Sequence, residues 1–264
     1  MSARPITVLA VGATGSIGSL VVREALDAGH AVRALVRDPH RVAGLPQGTQ
    51  AVVGDVTQPD TLRPAVDGVD AIVFTLGSDG MGKAGAESID YGGVRNVLTA
   101  LDARPVRIAL MTSVGVTNRT GSYNVSTEAH DWKRRSERLV RASGMPYTIV
   151  RPGWFDFNAK DQHRLHLLQG DRRHAGTPSD GVISRRQIAQ VLVRSLTSEQ
   201  ALGKTFELVA ERGAAQIDFA PLFASLAPDR SDNLDGVRDQ ANMPLADEPQ
   251  RVLADLEALR GRAA

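Results

Sequence analysis

Residues 6–26, ITVLAVGATGSIGSLVVREAL, decide the fold. An apolar run at 7–11 leads directly into Gly12, Gly15 and Gly18, and an amphipathic stretch follows from Ile17. A strand, a glycine-rich turn and a helix in this order open a dinucleotide-binding βαβ unit. Gly12 permits the tight turn, Gly15 lets a pyrophosphate approach the backbone at the helix N-terminus, and Gly18 lets the helix pack closely on the strand. Thr14, Ser16 and Ile17 complete that cradle and are expected to touch the cofactor with it. The competing reading is a bare structural turn, and the flanking strand and helix argue against it.

Outward from this unit, short apolar runs alternate with amphipathic stretches as far as residue 150. Strands are expected at 7–11, 31–36, 51–53, 71–75, 106–112 and 147–150. Helices are expected at 17–28, 60–66, 85–101 and 127–142, with Gly29 and Gly144 just past helix ends, where a left-handed residue is often needed. The pattern predicts an α/β fold, a Rossmann-like doubly wound parallel sheet covered on both faces, with its core at 5–153 of a single domain spanning 1–264. After Gly153 the pattern weakens. Residues 160–181 are polar, 185–196 resume a helical period and 205–209 read as a strand, so 154–264 is expected to form a small C-terminal, substrate-side lobe. Residues 221–249 mix proline, aspartate and asparagine and lead into a helix at 250–259, where Val252, Leu253, Leu256 and Leu259 form one apolar stripe. That stripe needs a cover: its own chain, a second copy in a homodimer, or a protein partner.

With 264 residues, 42% hydrophobic and 23% charged, the composition is that of an ordinary globular domain, which argues against disorder and fibrous structure. The 31 basic and 30 acidic residues leave a formal charge of +1, so no overall field draws the chain to nucleic acid or to an anionic membrane. A small molecule remains as partner. The absence of cysteine excludes disulfides, thiolate catalysis and cysteine-ligated metals, and fits a reducing compartment. No apolar run reaches the ~20 residues that cross a bilayer, and the first one flows into the glycine motif rather than a cleavage site, so a cytoplasmic location is expected.

The glycine spacing is GxxGxxG, and GATG followed by a small residue resembles the short-chain dehydrogenase/reductase family. The resemblance extends along most of the chain. Residues 129–155, AHDWKRRSERLVRASGMPYTIVRPGWF, are similar in particular to the atypical members, the NAD(P)H-binding, NmrA-like group. The resemblance implies that the end of the second strand reads the adenosine ribose, and here Arg37 stands before Asp38. A guanidinium at that point grips a 2′-phosphate bidentately where a carboxylate would repel it, so NADPH is expected over NADH. Read alone, Arg37 is a solvated arginine, and a ribose contact by Asp38 stays open. The resemblance further implies that Asp55 and Val56 flank the adenine and that the backbone at Thr75, Leu76 and Gly77 runs along the cofactor. Pro152, Gly153 and Trp154 would meet the nicotinamide carboxamide. Trp154 and Phe155 are either pocket wall or ordinary core aromatics.

In the family, a serine after the fifth strand and a Tyr-x-x-x-Lys pair carry the chemistry: the tyrosine protonates the substrate oxygen, and the lysine holds the nicotinamide ribose and lowers the tyrosine's pKa. This sequence has Ser113 and Lys133 at those places, but four residues before the lysine stands Ala129. None of Tyr91, Tyr123 and Tyr147 is placed by helix geometry to bring its hydroxyl beside Lys133. His130, roughly on the face of Lys133, is a candidate proton carrier, or simply a surface histidine. Ser113 is a substrate donor or a strand-end serine. His163, His166 and His174 interleave with Arg164, Arg172 and Arg173, but their spacing matches no ligand motif and the arginines repel a cation, so no metal is expected. That stretch reads as a solvated loop or as a basic lip for an anionic substrate.

Two functions follow. One is an NADPH-dependent reductase of a quinone, flavin or linear tetrapyrrole, whose hydride adduct is a delocalised anion that needs no strong positioned acid. The other is a non-enzymatic NADP(H) sensor, as NmrA-like proteins can be. Epimerase or dehydratase chemistry is a third option, weakened because it also relies on the tyrosine.

Overall fold

Val8, Leu9, Ala10 and Val11 are closed off from solvent because β1 (Thr7–Val11) runs through the middle of the sheet with helices on both sides. The computed structural model describes residues 4–78, 80–101 and 105–263. β2 (Ala31–Val36), β3 (Thr49–Val53), β4 (Ala71–Phe74), β5 (Arg107–Met111) and β6 (Tyr147–Pro152) join β1 in the parallel order β3-β2-β1-β4-β5-β6. β7 (Trp154–Phe155) and β9 (Val182–Ile183) make a separate two-stranded ribbon. β8 (Arg164–Leu168) and β10 (Lys204–Glu211) extend the main sheet to eight strands, with β10 parallel to β6 and β8 antiparallel to β10. Strand order reverses at β1 and β4, the crevice where such sheets bind ligands.

The helices are α1 (Gly18–Asp27), α2 (Arg63–Val66), α3 (Gly82–Gly85), α4 (Gly92–Ala100), α5 (Ser122–Thr127), α6 (Ala129–Ala142), α7 (Arg185–Ser195), α8 (Ala220–Ala224) and α9 (Gln250–Ala263). On one face of the sheet Val21 and Val22 of α1 pack with Ile188 and Leu192 of α7; on the other Val97 of α4 packs with Leu139 of α6 and Leu256 of α9. The Rossmann-like α/β fold expected from the motif is therefore present, covered on both faces. No helix among the described residues is long and apolar enough to cross a membrane.

Three local expectations need correction. The sheet is not wholly parallel, because residues 160–181 are not simply a loop: they contain β8, an edge strand whose Leu165 is buried while Arg164 stays exposed. The single helix expected at 85–101 is interrupted by a π-helical turn over Ala86–Tyr91, between α3 and α4. Ser136 Oγ donates to the carbonyl oxygen of Asp90 at 2.6 Å, giving one carbonyl of the widened turn a partner from α6. The helix expected from 127 begins instead at Ala129, after Glu128 adopts φ 56° and separates α5 from α6. The C-terminal stripe is covered by its own chain: Val252, Leu256 and Leu259 are buried against α4 and α6, with Leu253 partly so.

The polar segment before α9 has its own physical reason. Arg134 and Arg138 of α6 both hold Asp235, Arg138 and Arg135 hold Glu248, and Arg141 reaches Asp229. Asp229, Asp235 and Glu248 are thus counter-ions for a buried row of guanidiniums, and removing one partner of such a pair costs about 3–5 kcal/mol.

Candidate functional site

The glycine turn is built by close contacts that only hydrogen permits. Gly12 has φ +90°, and a Cβ there would lie 2.9 Å from the carbonyl oxygen of Thr75. A Cβ on Gly18 would lie 2.0 Å from the carbonyl oxygen of Gly12, so α1 leaves the strand as closely as two backbones allow. The Gly15 amide donates to the Gly12 carbonyl at 2.9 Å, and Thr75 Oγ1 donates to that of Val11 at 3.2 Å, tying the turn to the end of β4. The geometry fits a pyrophosphate laid on the N-terminus of α1.

A cleft of about 710 Å³ opens from this turn across the carboxyl ends of the strands. Of the residues expected at the site, Gly15, Ser16, Ile17, Thr75, Leu76, Gly77, Ser113, His130, Lys133, Pro152, Gly153 and Trp154 line it. Gly12, Thr14 and Gly18 lie in the turn behind, and Arg37, Asp55 and Val56 lie outside it, following β2 and β3. Arg37 is exposed and makes no ion pair among the described residues. Asp38 instead caps the next turn, accepting from the His40 amide at 2.9 Å. Asp55 Oδ1 accepts from the amide and hydroxyl of Thr57 at 2.9 and 2.8 Å, and the Val56 carbonyl accepts from Asn96 Nδ2 at 2.7 Å.

At the other end of the cleft, Lys133 Nζ lies 2.7 Å from Asp90 Oδ1, and Ser78 Oγ donates to Asp90 Oδ2 at 2.5 Å. Asp90 sits in the π turn, whose altered phase hid it from a reading based on regular helical spacing. Ala129 is buried one turn before Lys133, with no hydroxyl to offer. Ser113 Oγ is buried and has no partner among the described residues. His130 is not a surface histidine: its ring lines the cleft, its Nδ1 is buried without a partner among the described residues, and burial lowers its pKa. These orphaned polar atoms fit a bound ligand.

Tyr91 and Tyr147 donate to Asp255 and Asp229, and burial raises both phenols. Tyr123, from the separate helix α5, lines the cleft and meets the His130 ring with centroids 5.1 Å apart. Helix spacing relative to Lys133 could not find it, because the break at Glu128 lies between. Phe155 and Trp154 are cleft wall. Over Phe155 lies the guanidinium of Arg185, which pairs with Asp156 and donates to Ser16 Oγ in the cradle at 3.1 Å. Arg185 carried no sequence signal.

The histidine- and arginine-rich stretch divides. His163 and His166 do not line the cleft, whereas Arg173, His174, Gly176 and Asp180 do, correcting a wholly solvated loop. Among the described residues no group of three or more potential ligands could hold a metal ion.

Comparison with known proteins agrees with this arrangement. The chain is 28% identical over 225 residues to a photosystem II assembly factor of Cyanophora paradoxa, covering 84% of this chain and 69% of that protein. It is 28% identical over 273 residues to sanguinarine reductase of Eschscholzia californica, covering 85% and 97%. A solved structure from Bacillus halodurans, titled a putative NAD-dependent epimerase/dehydratase, superposes with a TM-score of 0.66 at 24% identity, over 84% of this chain and all of that one, which speaks to the fold. A family model described as NAD(P)H-binding matches residues 12–199, most of the chain, and with the glycine turn and cleft it establishes that the chain belongs to this NAD(P)H-binding family, consistent with an atypical short-chain dehydrogenase.

Proposed function

We propose that the protein is an NADPH-dependent reductase of a delocalised acceptor of quinone, flavin or linear tetrapyrrole type. The observation that carries the reading is the end of the cleft: Lys133 is retained and held on Asp90, while Ala129 occupies the place of the tyrosine. Bound NADPH supplies the hydride, and the acceptor takes up two electrons with it and one proton from solution or a cleft donor. Lys133 would hold the nicotinamide ribose, and Pro152, Gly153 and Trp154 would position the ring face. Ser113 would hydrogen-bond the acceptor oxygen or nitrogen. Lowered by burial, His130 is largely neutral at neutral pH, so it is a poor acid there and serves better as an acceptor or relay. A substrate whose adduct is already a stable anion tolerates that; an unactivated ketone does not. Orientation of the two reactants then carries most of the acceleration.

The choice of NADPH rests on Arg37, exposed beyond the second strand with no counter-ion among the described residues, while Asp38 is engaged in its own cap. The sensor reading is favoured by the missing acid, but burial of the α9 stripe removes one surface it would have offered to a partner. The test is to titrate the protein with NADPH and NADH and then follow NADPH oxidation with quinone, flavin and simple ketone acceptors. Turnover of the quinone or flavin with none of the ketone is expected. Rapid ketone reduction would overturn the mechanism, and no turnover of any acceptor would favour the sensor.

A further inference from the structure

We propose that Arg173, assisted by His174, forms a carboxylate-binding end of the acceptor site, so that the acceptor is a planar delocalised molecule bearing a peripheral carboxylate. This rests on the reductase reading. The segment after β8 is held against the cleft by two buried carboxylates. Asp171 accepts from the amides of Gly115 at 2.6 Å and Thr117 at 2.7 Å, and from Thr117 Oγ1 at 2.9 Å. Asp180 accepts from the amides of Ala175 and Gly176, each at 2.7 Å. Asp171 takes φ 46°, a left-handed backbone that costs a non-glycine residue about 1 kcal/mol or more and is tolerated because its carboxylate is so fully used.

The consequence is an ordered row of charge. Arg173 and His174 line the cleft, while Asp171, Asp180 and Asp90 are buried at or behind its wall. His174 Nε2 lies 3.7 Å from Asp171 Oδ2, and that contact raises the histidine's pKa. Lys133 is neutralised by Asp90. Arg173 differs from both: it is exposed at the cleft wall, its one hydrogen bond among the described residues, at 3.3 Å, goes to the carbonyl of Asp180, and it makes no ion pair among them, whereas the arginines Arg134, Arg135, Arg138 and Arg141 of α6 all hold carboxylates. A planar guanidinium with donors to spare, at the wall of a largely apolar cleft, matches a carboxylate and repels a cationic acceptor.

The experiment uses a quinone carboxylic acid and its methyl ester at saturating NADPH, with isothermal titration of the acid into the protein saturated with NADP⁺. In the native protein the acid is expected to have a KM about tenfold below that of the ester. In Arg173→Gln the two KM values converge, chiefly through a rise for the acid rather than a change in kcat, and the acid's calorimetric affinity falls about tenfold; Arg173→Lys restores part of it. Equal KM values for acid and ester in the native protein would overturn the subsite, as would an Arg173→Gln variant that loses NADPH affinity as strongly as acid affinity, which would make Arg173 a cofactor residue. If neither quinone turns over but the acid still binds in an Arg173-dependent way, the reductase reading fails and the carboxylate site stands. Turnover without acid preference has the opposite meaning.

Discussion

Substituting Gly18 and Gly15 by alanine, one at a time, separates what the glycine turn does for the fold from what it does for the ligand. A methyl carbon on Gly18 would stand 2.0 Å from the Gly12 carbonyl oxygen, 2.7 Å from its carbon and 2.9 Å from Thr75 Oγ1. Comfortable contacts lie near 3.5 Å, and the first two atoms are backbone, so α1 must move off β1 by more than an ångström. Overpacking of this kind costs about 1–3 kcal/mol, and at 2–4 °C per kcal/mol for a domain of this size Gly18→Ala should lower Tm by roughly 2–12 °C, toward the upper end because the clash is with backbone. On Gly15 the methyl meets only the Gly12 oxygen, at 3.2 Å, which a few tenths of an ångström relieve. Gly15→Ala should therefore keep Tm within about 2 °C of the native value. Its methyl would nevertheless stand where the proposed pyrophosphate comes closest, and NADPH affinity should fall about tenfold or more. Thermal denaturation followed by circular dichroism reads the first effect, and quenching or transfer fluorescence on NADPH titration reads the second. A Gly15→Ala protein that binds NADPH like the native one would refute the placement of the pyrophosphate, and an unchanged Tm for Gly18→Ala would refute the packing argument.

Arg37→Ala should weaken NADPH about tenfold or more and NADH less than about twofold, and equal weakening would remove the phosphate assignment. Arg185→Ala, which loses the reach to Ser16 in the cradle, should instead weaken both cofactors by the same factor. Glu207 is pushed up to about 8, chiefly by burial with Asp171 and Asp239 adding, because Arg151 spends its short bonds on Glu137 and Asp239 and stands 3.5 Å from Glu207. A carboxyl raised in the folded state stabilises fully below its unfolded pKa, near 4.5, and loses that stabilisation as pH rises through about 8. Glu207→Gln should therefore gain stability relative to the native protein between pH 5 and 9, by the order of a few kcal/mol in chemical denaturation, and a pH-independent difference would contradict the burial argument. Ala129→Tyr alone should leave reduction of an unactivated ketone at background in an NADPH-oxidation assay, and turnover by that variant would contradict the account of Lys133 given below.

The parts that were legible in the sequence are those in which a local pattern is also the cause of the structure. The turn at Gly12 to Gly18, the parallel strands and the stripe of α9 belong here, because apolar period and glycine geometry act over a few residues. β8 was hidden because it is an edge strand, hydrogen-bonded on one side only, and its exposed Arg164 makes the segment look like a loop. The buried arginines of α6 were hidden because their partners lie about a hundred residues away, in a segment whose aspartates look like those of any solvated loop. At the site, Ser113, Lys133 and the Pro152–Gly153–Trp154 corner could be placed by motif. Tyr123, Asp90 and Arg185 could not, since a left-handed break at Glu128, a π turn and a long reach back to Ser16 bring them in.

Lys133 shows why the missing tyrosine is not an isolated deletion. In the usual arrangement the lysine's uncompensated charge lowers the pKa of a phenol one turn away, and that acid protonates the substrate oxygen. Here the ammonium is 2.7 Å from a carboxylate that is itself fixed by Ser78, while the same residue's carbonyl takes the Ser136 hydroxyl. Most of the charge a phenol would feel is already spent on Asp90. A tyrosine put back at Ala129 would enter a buried position beside a neutralised lysine, where desolvation raises a phenol, as it does for Tyr91 and Tyr147. The phenol would then remain a weak acid at neutral pH. The lysine would, under the proposed function, serve as a fixed point for ribose hydroxyls, with Asp90 holding it in place. Under the proposed reductase function, the absent tyrosine and the capture of the lysine by Asp90 are two halves of one arrangement, which would suit acceptors whose reduced form carries its own negative charge.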